Sequence, residues 1–162
     1  MEEAIEALQY ALSYEPENPE ALLLMAKIHT YQTRDYEAAK GYYEATMVST
    51  MDMPKVYPDY VRLLIMNEDF DEAQKLLDYA MTVKGSDKAL LYILQGQLLE
   101  AIEQYKPAIK ALKEALKKGQ NSSFTMFVEG EMERVKKKLP KKKKKKKSKN
   151  KVKRKEKKKD RS

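Results

Sequence analysis

One spaced pattern constrains this chain more than any other: a small residue, a large one four positions on and a second small one three later, recurring every 34 or 35 residues. It reads Ala4, Leu8, Ala11, then Ala39, Tyr43, Thr46, then Ala73, Leu77, Ala80, and finally Ala108, Leu112, Ala115. Turn formers follow two of the copies, at Pro16 and Gly85, and the last three copies each begin three positions after an aromatic, Tyr36, Phe70 or Tyr105. Residues at this spacing share one face of a helix. Small ones let two helices approach closely, while the large one fills the groove between them. A period of this length marks a repeat architecture, in which each unit buries its apolar face only against its neighbours.

The periodicity and turn signals predict helices at about 2–14, 19–32, 36–49, 57–67, 70–83, 88–101 and 106–118. Asn18 before Pro19, and Ser86-Asp87 before Lys88, read as N-caps. Pro58 and Pro107 fit only in the first turn of their helices, where no amide is owed to an earlier carbonyl. The first helix is unpaired, as if the chain opened at the second helix of a repeat; a fragment, a short gene product and an N-terminal cap all fit. After a Ser122-Ser123 cap signal, Phe124, Val128, Met132, Val135 and Leu139 fall at helical spacing. That makes 121–139 one amphipathic helix, read as a terminal cap, with partner binding the alternative.

The chain resembles the tetratricopeptide repeat family over residues 2–119. Asp35-Tyr36-Glu37-Ala38-Ala39, Asp69-Phe70-Asp71-Glu72-Ala73 and Tyr14-Glu15-Pro16-Glu17-Asn18-Pro19 carry the resemblance. The first helices follow the pattern less closely, and Val61 stands where the family has a small residue, as at Ala26 and Gly96. The resemblance implies an all-α fold, a right-handed superhelix of antiparallel helix hairpins, with a half repeat and three hairpins in residues 1–120.

It also implies that the first helix of each hairpin lines a concave surface. The inward positions are then Glu20, Leu23, Lys27, Thr30 and Tyr31; Lys55, Pro58, Arg62, Ile65 and Met66; and Leu90, Ile93, Gln97, Glu100 and Ala101. Lys27, Arg62 and Gln97 recur at 35-residue intervals and are expected to form a ladder, flanked by Leu23, Tyr31, Met66 and Ile93. Two cations among apolar groups suit a peptide or helix with a carboxylate beside hydrophobic anchors. The alternative reading leaves the cations solvated and the apolar residues packed between helices. The family's clamp for chaperone C-termini, a set of Lys, Asn, Asn, Lys and Arg, is not matched, because Tyr31 stands where its first asparagine belongs.

Charge is divided unevenly. Residues 136–162 hold seventeen lysines and two arginines against Glu156 and Asp160, a net +17, while the whole chain carries +8 and residues 1–135 therefore −9. Lys141, Lys142, Lys143, Lys144, Lys145, Lys146 and Lys147 are consecutive. With one apolar side chain beyond Pro140, Val152, the segment 140–162 is expected to be disordered. Such a tail fits RNA, DNA or an anionic surface through phosphate contacts, with little sequence reading. A solubilising tail and a nuclear or nucleolar targeting signal in a eukaryote are the other readings.

No cysteine, one histidine (His29) and five glycines leave no material for a thiolate or His-ligated metal site or a glycine-rich phosphate loop. No run is apolar enough to cross a membrane. The sequence therefore points to a cytoplasmic, non-enzymatic scaffold without cofactor that binds a protein partner and is tethered to a polyanion by its tail. The alternative is a nucleic-acid- or ribosome-associated protein whose tail supplies the affinity. Self-association through the open first helix fits either.

Overall fold

The computed structural model describes residues 1–141. The lysines from Lys142 onward, and the expected disorder of that tail, lie outside the described residues. Eight α-helices follow in order: α1 Glu2–Tyr14, α2 Pro19–Ile28, α3 Tyr36–Ser49, α4 Val56–Met66, α5 Phe70–Thr82, α6 Lys88–Ala101, α7 Tyr105–Lys118 and α8 Ser122–Lys138. There are no strands among the described residues. Helices α2 with α3, α4 with α5, and α6 with α7 form three hairpins, and α1 packs on α2 and α8 on α7 at the two ends.

The repeated triplet explains the packing. Ala39, Ala73 and Ala108 are fully buried, as are Thr46, Ala80 and Ala115, and Tyr43, Leu77 and Leu112 are at most 2% exposed. Gly96 shows how tight the approach is: a Cβ placed there would lie 2.9 Å from Cγ and Cδ2 of Leu112. Val61, at the same place in α4, is also fully buried, so the second hairpin accommodates the larger side chain. The core is continuous from α2 to α6, with a second cluster joining α6, α7 and α8.

Local chemistry sets the helix ends. The Asn18 side chain accepts from the Ala21 amide at 3.0 Å, with Pro19 in the first helical position. Pro58 and Pro107 both fall in first turns. Two cap assignments shift. Asp87 alone caps α6, accepting from the Leu90 amide at 3.0 Å, while the Ser86 hydroxyl is buried with no hydrogen-bond partner. For α8 the cap is Asn121, which accepts from the Phe124 amide at 2.8 Å, and Ser122 is already helical.

Helix α2 ends as α at Ile28 and widens into a π-helical turn, His29–Thr33, where one continuous helix to residue 32 was expected. Within that turn His29 is half-buried; its ring stacks on Tyr42 at 5.4 Å, and its Nδ1 lies 3.0 Å from Thr33 Oγ1. All three hairpin turns contain a left-handed non-glycine residue: Arg34 (φ 55°), Glu68 (φ 61°) and Glu103 (φ 61°). At the second and third, Asp69 N–H donates to Leu64 C=O and Gln104 N–H to Leu99 C=O, each five residues back, the Schellman closure of a helix.

Candidate interaction groove

The first helices bring their charged positions together across hairpins. Lys27 on α2 lies 2.9 Å from Asp59 Oδ2 on α4, and Arg62 Nη1 lies 3.5 Å from Asp59 Oδ1. Arg62 also donates to the Tyr31 hydroxyl at 3.3 Å. Beside them Lys55 pairs with Glu20 at 2.9 Å. The expected cations are therefore adjacent, but they are organised by a carboxylate that the repeat positions did not single out. Asp59 stands one turn before Arg62, and that spacing was the available signal.

The other groove candidates separate into two groups. Tyr31 and Met66 are 45% and 42% exposed and flank Arg62, while Gln97 is half-exposed. Leu23 and Ile93, at 3% and 5%, are core residues, so these two do not supply groove surface as expected. They pack inside the hairpins because residues on the edge of the first helix are claimed by the second helix as the array closes up. Thr30 and Pro58 are buried as well; the Thr30 hydroxyl donates to Ala26 C=O at 2.8 Å.

Further along, α8 covers the groove position Glu100. Arg134 reaches Glu100 with both terminal nitrogens, the Nη2 contact at 2.8 Å, and Lys138 Nζ lies 2.6 Å from Glu100 Oε1. Burial pushes the Glu100 carboxyl up, but the hydrogen bonds from Arg134 and Lys138 outweigh it and hold the group below the usual carboxylate range. The second helices carry a similar lock: Lys40 meets Asp69 at 3.3 Å and Glu72 at 3.0 Å. A hydrogen bond from Asn67, and then those from Lys40, lower the Asp69 carboxyl against a small opposing effect of burial.

At the N-terminal end a cleft of about 370 Å³ opens between α1, α2 and the start of α4, lined by Leu8, Glu20, Ala21, Leu23, Leu24, Lys27 and Lys55. Leu24, 48% exposed, is its apolar lip. Among the described residues no helix is long and apolar enough to cross a membrane, and no group of three or more His, Asp or Glu is placed to hold a metal ion.

The tetratricopeptide repeat family model matches residues 2–50. No curated protein matches the chain. Among solved structures the Arabidopsis OM64 TPR domain superposes with a TM-score of 0.62 at 17% identity, covering 76% of this chain and 98% of that one. The family match over the first helices, the recurring triplet behind it and the shared fold lead to one conclusion: the chain is a tetratricopeptide repeat protein.

Proposed function

We propose that the protein is a non-enzymatic scaffold whose groove across α2 and α4 takes a peptide or helix presenting a carboxylate beside an apolar side chain. Tetratricopeptide repeats are typically interaction modules. The observation that carries the finer reading is the charge balance at Asp59: Lys27 and Arg62 share one carboxylate, so one positive charge is left over. Exposed Tyr31 and Met66 adjoin it. A partner carboxylate would gain a charge-assisted hydrogen bond there and rest its apolar neighbour on Tyr31 and Met66. The test is selection from a displayed library of random peptides. Binders enriched in Asp, Glu or a free C-terminus next to Leu, Met or Phe, and weakened at least about tenfold by Lys27→Glu with Arg62→Glu, support the reading. Binders without acidic character overturn it.

The tail supports a second reading, in which the polycation of residues 136–162 tethers the scaffold to RNA or another polyanion. Binding to a labelled RNA oligonucleotide should then fall steeply with salt, roughly 0.7 in log K for each phosphate neutralised per unit of log salt. It should vanish in a chain ending at Leu139. A cytoplasmic location fits both readings.

A further inference from the structure

The two ends of the array present opposite halves of the same hairpin. In all three hairpins the small–large–small face of the second helix is buried, but the matching residues of α1 are not: Ala4 and Ala11 are exposed and Leu8 is half-exposed. Helix α1 is therefore a second helix without a first. Helix α8 is the reverse. Counting 34 residues back places Met126, Phe127 and Gly130 at the positions of Tyr92, Ile93 and Gly96 in α6, the face that α7 covers. Ile93 and Gly96 are buried, whereas Met126 is 73% exposed, Phe127 is 52% exposed and Gly130 is open, with nothing within 4 Å of an added Cβ.

The fit extends to register and charge. Gly96 is the slot into which Leu112 seats in the third hairpin, and Leu8 is the counterpart of Leu112 as Gly130 is of Gly96. In a hairpin the C-terminus of the first helix adjoins the N-terminus of the second, across three residues between α6 and α7. Lys136, Lys137 and Lys138 close α8, and Glu2 and Glu3 open α1, so opposite charges would meet at that corner. The cleft beside Leu8 and Leu24 lies on the side where a preceding first helix would run.

We propose that copies of this chain associate head to tail, α8 of one copy packing on α1 of the next to complete a fourth kind of hairpin and continue the solenoid across the junction. The interface is heterologous, so it extends to short open-ended oligomers in place of a closed twofold dimer. Phe127 and Met126 would be covered by α1 of the next copy, and Leu8 would drop into the gap at Gly130. This surface is distinct from the Asp59 centre, and the proposal stands whether or not that centre binds peptides.

The test uses the 162-residue chain in sedimentation velocity over a concentration series. Two variants block one end each: Gly130→Leu fills the slot on α8, and Leu8→Glu puts a charge on the α1 face. Both positions are open enough to leave folding intact, checked by far-UV circular dichroism; Met126→Lys and Ala4→Arg are the replacements if either fails to fold. The expected result is mass that grows with concentration for the unmodified chain and shrinks as salt is raised. Each variant alone should be monomeric, while an equal mixture should give a 1:1 heterodimer and nothing longer, since one free α1 end and one free α8 end remain. An unmodified chain that stays monomeric, variants that still oligomerise, or a mixture that stays monomeric overturns the proposal. Loss of assembly with Leu8→Glu alone would indicate an α1-to-α1 dimer and overturn it equally.

Discussion

Replacing Glu68 and Glu103 with glycine should stabilise the protein although it removes two side chains. Both residues are exposed and sit at φ 61° in the Schellman closures of α4 and α6. A residue with a Cβ loses about 1–2 kcal/mol in that left-handed region. Glycine avoids the clash but gives back about 0.5–1 kcal/mol in unfolded-chain entropy. The net gain is about 0.5–1 kcal/mol per site. The two turns lie in different hairpins, so the effects should add, to about 1–2 kcal/mol. For a chain of this size that is a Tm rise of roughly 2–8 °C. Urea unfolding followed by far-UV circular dichroism measures it, with Lys113→Gly in the exposed middle of α7 as the opposing control, expected to lose about 1 kcal/mol. If the double variant is no more stable than the parent, the turns carry no left-handed strain and the reasoning fails.

Gly96→Ala should destabilise despite its better helix propensity, by about 1–2 kcal/mol, because the added Cβ meets the immobile Cγ of Leu112; Gly41→Ala, where a Cβ meets nothing, should gain about 0.5–1 kcal/mol in the same unfolding assay. Arg134→Ala should loosen α8, since Glu100, its side chain 10% exposed, would keep only Lys138; hydrogen exchange should show α8 amides opening roughly tenfold faster, with α2 to α5 unchanged. Acid should act through the same carboxylates. Glu100 and Asp69 have folded pKa values lowered below their unfolded ones, so their contribution is complete above about pH 5 and is lost as pH falls through the lowered folded values. Unfolding midpoints at stepped pH check this, and Glu100→Gln with Asp69→Asn should flatten the acid limb.

The repeat was legible because close helix packing demands small and large residues at fixed spacing, and Ala39, Ala73, Ala108 and their partners meet that demand within the sequence itself. Helix limits followed from the same spacing to within a residue or two. What escaped depended on contacts across hairpins. The π-helical turn after Ile28 breaks no propensity rule, and nothing near His29 in sequence announces it. Asp59 meets Lys27 from 32 positions away, so the ladder read as free cations. Leu23 and Ile93 alternate between groove and core with a small rotation of their helices, which apolar spacing does not fix.

The central claim is that the groove around Asp59, and not the tail, recognises the protein partner. The most direct measurement is fluorescence anisotropy of one library-selected peptide against three proteins: the full chain, a chain ending at Leu139, and the full chain with Lys27→Glu and Arg62→Glu. The account predicts unchanged affinity without the tail and at least about a tenfold loss on charge reversal. Affinity that disappears with the tail and survives the reversal would contradict it.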